Sequence, residues 1–231
     1  MTRRPRPIVA IDGPAGAGKS TIARKLASEL GFLLVDTGAI YRTVALAARR
    51  AGVSWDDGPR VTALAEGLVA DHALDVYPAP NGSMGVRLSG EDVSEAIRTP
   101  DMSLGASTVS AHQGVRNVLL AMQRKAGATG GVVLEGRDIG TVVFPDAEVK
   151  LFLTATPEVR ARRRFDELTA KGQKVTFEET LADVQTRDAK DSGRAIAPLR
   201  QADDAVLFDS SDMTIEEVVS KMRALVEERS R

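Results

Sequence analysis

The chain contains no cysteine. Disulfides, thiolate metal sites and a cysteine nucleophile are therefore excluded. Histidine is nearly absent as well, with 2 in 231 residues. His72 and His112 stand outside any metal-ligand spacing, and no serine–histidine–aspartate arrangement is apparent. Both read as ordinary structural or surface residues, and no zinc site is expected. An excess of either charge is also missing: 31 basic side chains face 32 acidic ones, for a net charge of -1. A protein that coats nucleic acid needs a broad positive field, so that class is excluded, whereas a local positive pocket for a small anion is not. Long apolar runs are lacking too. After the arginine-rich stretch Met1 to Pro7, the apolar residues reach only from Ile8 to Ile11 before Asp12 intervenes. That is too short for a signal peptide or a membrane span. Residues 1–7 read as a flexible basic tail, and a cytoplasmic setting fits.

What is present is apolar material for a real core, 43% of the residues. It is arranged for one compact domain with an inserted subdomain, or a small domain pair. Ile8-Val9-Ala10-Ile11 reads as a buried strand. A helix follows from Lys19 to Leu30, with Ile22, Leu26 and Leu30 at helical spacing and Gly31 as its stop. Phe32-Leu33-Leu34-Val35 is a second strand, and Ile40 to Arg50 a second helix, stopped by Gly52. From Leu68 to Leu88 the rhythm changes. Leu74 to Tyr77 and Met84 to Leu88 look like short strands joined by Pro78-Ala79-Pro80-Asn81-Gly82, where Asn-Gly signals a hairpin. A plain loop is the alternative. The α/β pattern then resumes with a helix over Val115 to Lys125 and strands at Val132 to Leu134, Val149 to Leu153 and Ala205 to Phe208. Thr156-Pro157, Thr176 with Glu179, and Thr214 with Glu217 mark three helix starts. The sum is an α/β fold with about five parallel strands between helical layers.

The sharpest motif is Gly13-Pro14-Ala15-Gly16-Ala17-Gly18-Lys19-Ser20. It fits G-x-x-x-x-G-K-[ST] at every fixed position and lies between a strand and a helix. Glycines let backbone N–H groups converge on a phosphate, and the helix adds its positive end. Lys19 is expected on the β- and γ-phosphates, Ser20 on Mg²⁺, and Thr21 beside them. Asp12, closing the first strand, is a candidate for the metal or for hydrogen bonding within the turn. The motif implies a nucleoside triphosphate but does not select among switch GTPases, motor ATPases and small kinases.

The acceptor side is drawn from strand ends, because parallel sheets place ligands beyond their carboxyl edges. Thr37 and Arg42 follow the second strand, and Arg137 and Asp138 follow the strand at Val132. Arg116, Arg187, Asp191 and Arg194 complete the candidate set. Guanidinium forks suit phosphate, and Asp138 suits the amino group of a base. Each has a plainer reading. A lone helical arginine is usually solvated, and Arg187 with Asp191 can pair across one helical turn. Arg160, Arg162, Arg163 and Arg164 form a further basic cluster. It is either a solvated face beside Asp166 and Glu167 or the arginines of a closing lid. Apart from Phe165 it lacks the aromatics of a nucleic-acid patch.

These residues resemble the bacterial cytidylate kinases, within the nucleoside monophosphate kinases of the P-loop class. The resemblance runs from Ile8 to the last helix. It is carried by Ile11-Asp12-Gly13-Pro14 with the phosphate loop, Asp36-Thr37-Gly38-Ala39-Ile40-Tyr41-Arg42, Gly90-Glu91-Asp92-Val93-Ser94 and Ile97-Arg98-Thr99. Gly136 to Ala147 and Arg194-Ala195-Ile196-Ala197-Pro198-Leu199 complete it. Some family members have serine where this chain has Thr37, and the hydroxyl is kept. The resemblance implies transfer of the ATP γ-phosphoryl group to CMP or dCMP with Mg²⁺. It implies a core over 8–63 and 104–231, a monophosphate-binding insert over 64–103 and a short lid at about 160–187. Thr37, Arg42, Arg116, Arg137, Asp138, Arg187, Asp191 and Arg194 look like the CMP set. Lys19, Arg160, Arg163 and Arg187 are expected at the transferring group, and Gly13 through Thr21 around ATP. No nucleic-acid, membrane or obligate protein partner is expected, and the absence of a heptad pattern favours a monomer. The competing readings are a kinase for another small acceptor, such as UMP, AMP or shikimate, and a nucleotide-dependent switch or binding protein.

Overall fold

A computed structural model describes residues 4–80 and 82–230. Its central sheet has five parallel strands: β1 (Ile8–Asp12), β2 (Leu33–Asp36), β6 (Val132–Gly136), β7 (Val149–Thr154) and β8 (Val206–Asp209), in the order β2-β6-β1-β7-β8. A smaller antiparallel sheet joins β3 (Leu74–Pro78), β4 (Met84–Leu88) and β5 (Glu91–Asp92). The helices are α1 (Lys19–Leu30), α2 (Thr37–Arg50), α3 (Gly58–Ala70), α4 (Pro100–Val109), α5 (Gln113–Gly127), α6 (Pro157–Ala170), α7 (Phe177–Gly193) and α8 (Ile215–Arg229).

β1 is apolar on both faces because both are covered. Ile8 and Ala10 join a core with α2, α3, α5 and the small sheet, whereas Val9 and Ile11 join another with α1 and α8. All five β1 residues are buried, which is the reason its sequence runs apolar instead of alternating. This is the three-layer P-loop α/β fold expected. The local stops and starts behave as their chemistry requires. Gly31 ends α1 in the left-handed region, Thr156 accepts from the Val159 amide, and both capping boxes form.

The hairpin between β3 and β4 forms, with Ala79 N donating to Ser83 O at 2.8 Å. Asn81, on which its turn reading partly rested, lies outside the described residues, as do residues 1–3 of the expected tail. The rest of that tail is engaged: Arg4 pairs with Asp146 and Glu148 at 2.5 and 2.9 Å, and Arg6 donates to the Leu30 and Gly31 carbonyls.

α3 and α4 were not foreseen, and the boundaries expected at residues 64 and 103 fall inside them. α3 is started by Asp57, which accepts from Arg60 N, with Pro59 in the first turn. α4 buries Met102 and Val109, and between them it comes close to its neighbours at Gly105. A Cβ on Gly105 would stand 2.8 Å from both Ala45 and the Trp55 ring. A short π-helical turn at Ile139–Val143 follows β6. Such turns concentrate at functional sites, and this one directly follows Arg137 and Asp138.

Candidate active site

The carboxyl ends of β1, β2 and β6 open into a cleft of about 730 Å³. One wall is the loop after β1. Gly13 is required there: an added Cβ would run into the Leu153 carbonyl. Gly16 also packs closely, though less so, its missing Cβ 3.2 Å from the Arg160 Cβ. With Gly16 and Gly18 both in the left-handed region, the loop turns its amides inward toward the start of α1. Ala15 through Thr21 line the cleft, while Gly13 and Pro14 support it from behind. Lys19 is buried, and its ammonium donates to the Pro14 carbonyl at 2.7 Å. Burial first, and the positive Arg137 second, hold its pKa well below the usual lysine range.

The opposite wall carries the acceptor candidates. Thr37, Arg42, Arg116, Arg137, Asp138, Arg187, Asp191 and Arg194 all line the same cleft, although they are spread over 158 positions of sequence from 37 to 194. Arg116 and Asp138 form a buried ion pair, with side-chain exposures of 7% and 8%. Arg137 Nε donates to Asp191 at 2.8 Å, so the partner of Asp191 is Arg137 and not Arg187 one turn away. Burial works to raise the Asp191 pKa, but the Arg137 guanidinium prevails and holds it below the ordinary carboxylate range. Thr37 donates its hydroxyl to Glu135 O at 2.7 Å. Arg42 donates to Asp36 at 2.8 Å.

Several cleft groups are polar, buried and without a partner: Arg42 Nε, Arg187 Nε, Arg194 Nη2 and Glu135 Oε1. Buried polar atoms are normally satisfied, so three guanidinium donors left over in one cleft describe an anion site. Arg187, crowded by burial and by Arg137, is pushed down to about 10.

Two expected residues have other positions. Both Asp12 oxygens accept backbone amides, from Ile139 and Gly140, each at 2.8 Å. Asp12 therefore anchors the π-helical turn to β1, and of its two sequence readings the hydrogen-bonding one is seen. Arg160 does not line the cleft. Its guanidinium is spent on the Ala155 and Ala15 carbonyls and on Asp188. Arg163 does line the cleft while donating twice to Ser210. Arg164 pairs with Glu167 at 2.7 Å. His112 bonds the Trp55 carbonyl at 2.7 Å, and among the described residues no cluster of three or more His, Asp or Glu side chains suits a metal.

Sequence reasoning placed Glu135 at this edge beside Arg137 and Asp138 but gave it no role. The signal was available: an acid that ends an apolar strand next to the phosphate-loop strand. Glu135 is 4% exposed, and burial, with Asp36 adding to it, pushes its carboxyl up to about 7 while Lys19 opposes. A consequence is measurable. The folded protein keeps a proton that the unfolded chain releases near 4.5, so this group's stabilising contribution is complete below that pH and is lost as pH rises toward 7. Glu135→Gln, which stays neutral, is expected to match the parent in acid and to exceed its stability by about 3 kcal/mol above neutrality. Chemical denaturation across pH reads the difference; parallel curves would show that Glu135 does not titrate in this range.

No helix among the described residues is long and apolar enough to cross a membrane. A fold likeness is found in an uncharacterized protein from Eubacterium ventriosum, 11% identical with a TM-score of 0.50, covering 96% of this chain and 99% of that one. Sequence relatives are much nearer. The cytidylate kinase of Geobacter sulfurreducens is 56% identical over 97% of this chain and 94% of its own length. A bifunctional pantoate ligase/cytidylate kinase of Prochlorococcus marinus is 49% identical over 94% of this chain and 42% of its own. The family model for cytidylate kinase matches residues 9–228. With that match across the phosphate loop, the acceptor wall and α8, the chain belongs to the cytidylate kinase family.

Proposed function

We propose that the protein transfers the γ-phosphoryl group of ATP to CMP and dCMP, giving CDP and dCDP. The observation that carries this reading is the convergence of the acceptor residues opposite the phosphate loop, with unpaired guanidinium donors beside the buried Arg116–Asp138 pair. The donors suit the monophosphate. Asp138 offers a carboxylate to an exocyclic amino group; burial raises its pKa, and the Arg116 guanidinium opposes that rise and holds the side chain in place. Asp191, fixed by Arg137, suits the sugar or phosphate side.

The attacking oxygen of a nucleoside monophosphate is already anionic, so no strong general base is required. Catalysis reduces to alignment and charge neutralisation. Lys19 is released from Pro14 to meet the β- and γ-phosphates, while Arg187 and Arg163 reach the transferring group from the α6–α7 side. The donor set fits Mg²⁺: the Ser20 hydroxyl and the unpaired Glu135 Oε1 are hard oxygen ligands beside the loop, whereas both Asp12 oxygens are taken by amides. Mg²⁺, when bound, neutralises phosphate charge. The α6–α7 wall excludes water, which keeps the phosphoryl group from hydrolysis.

ADP release from Mg-ATP, measured against CMP, dCMP, UMP, AMP, GMP and shikimate, tests the proposal. Rapid turnover is expected with CMP and dCMP and little with the purine nucleotides. Turnover confined to shikimate or a purine would overturn the assignment of Asp138 and leave the phosphate-loop chemistry. Tight ATP binding with no acceptor turnover would favour a nucleotide-dependent switch.

A further inference from the structure

We propose that Arg160 and Asp188 form a positioning pair that makes the donor and acceptor sites sense one another. The inference rests on the two-substrate reading above and goes beyond it. Arg160 sits on α6, 4% exposed in its side chain, with its guanidinium facing three parts of the fold at once. Nε donates to Ala155 O at 2.8 Å, at the end of β7. Nη1 donates to Ala15 O, inside the phosphate loop, at 2.9 Å. Nη1 and Nη2 fork onto the two Asp188 oxygens of α7 at 3.0 and 2.6 Å. The loop packs closely against the same residue, since a Cβ on Gly16 would stand 3.2 Å from both the Cβ and the carbonyl oxygen of Arg160.

Asp188 is adjacent to Arg187, whose unpaired Nε lies in the cleft wall, and less than a turn from Asp191, which holds Arg137. A continuous set of hydrogen bonds and one helix therefore runs from the Ala15 carbonyl to the guanidinium groups of the acceptor wall. Every step is charge-assisted or within a rigid helix, the kind of contact that carries displacement without absorbing it. ATP that adjusts the loop at Ala15 to Lys19 pulls on Arg160, and Arg160 turns α7 with its acceptor residues. Arg160 does not line the cleft and its donors are taken by protein groups, so we assign it as a positioning residue and not a catalytic one. Lysine cannot replace it, because a single ammonium cannot serve a carbonyl and both oxygens of a carboxylate in one plane.

The test is calorimetric binding of CMP to the whole protein with and without a non-hydrolysable ATP analogue. In the parent protein the analogue is expected to tighten CMP by about tenfold, within the usual range of site coupling. Asp188→Asn, a shape-conserving change at a side chain 24% exposed, is expected to reduce that factor to below about twofold while CMP affinity alone moves by less than about threefold. Arg160→Lys should do the same, and the double variant should be no worse than either single one, because both remove one link. A merely structural role would shift melting temperature without collapsing the factor. A parent factor of one, a factor retained in both variants, or loss of folding in both would overturn the proposal. Turnover of CMP by the parent, measured on the same preparation, tests the functional reading separately.

Discussion

Replacing Lys19 by methionine is expected to lower kcat for CMP phosphorylation by about a thousandfold or more, with the protein still folded. Methionine keeps the buried stem and removes only the ammonium. In the free protein that ammonium is disfavoured: it is buried, Arg137 and Arg187 repel it, and its listening post is a single carbonyl of Pro14. Its value must therefore lie in the liganded state, where several negative phosphate oxygens reach it. A charge preorganised toward the transition state in a water-poor site contributes several kcal/mol to the barrier, about 4 for a thousandfold effect. Rapid-quench measurement of ADP and CDP formation reads the loss. Near-normal turnover by Lys19→Met would remove the lysine from the transfer step.

The second large effect concerns Asp138. Asp138→Asn presents an amide to the base in place of a carboxylate. The carboxylate accepts from an amino group and repels a carbonyl, whereas the amide can serve either. The ratio of kcat/KM for CMP to that for UMP is expected to fall by about a hundredfold, the scale at which unpaired buried polar groups discriminate. KM for ATP should stay near the parent value. Asp138→Ala is predicted to be costlier for the fold, because it strands Arg116 as a buried unpaired charge, a loss of about 3–5 kcal/mol. Kinetics on both acceptors and a denaturant titration separate the two effects. An unchanged CMP-to-UMP ratio in Asp138→Asn would remove it from base reading.

Much of this was legible in the sequence wherever a property is local. The phosphate loop declares itself through fixed spacing, and the capping residues Thr156, Thr176 and Thr214 through chemistry confined to one turn. The inner strands β1, β6 and β7 are largely buried on both faces and read as apolar runs, and the edge strands β2 and β8 are apolar too although partly exposed, so the five-stranded sheet followed. α4 was hidden because its buried face is short: only Met102 and Val109 supply bulk, with Gly105 between them under Trp55. The acceptor arginines were named from strand ends and family resemblance, but their pairings were not. That Asp191 belongs to Arg137, and Arg160 to Asp188, depends on where α6 and α7 come to rest, which is tertiary information. The role of Glu135 and the π-helical turn were missed for the same reason. Each is defined by what stands beside it from distant sequence, Asp36 in one case and Asp12 in the other.

The two faces of the central sheet close at different moments of synthesis. The face beneath α2, α3 and α5 is completed by residues that precede β7. The other face joins Val9, Ile11, Ile22 and Leu26 to Val218, Val219, Met222 and Val226 of α8, which follows every other element in sequence. On the ribosome, α1 and the loop that precedes it must wait with an uncovered apolar flank until α8 has emerged. The nucleotide-gripping half of the molecule, though translated first, thus receives part of its apolar cover only from α8.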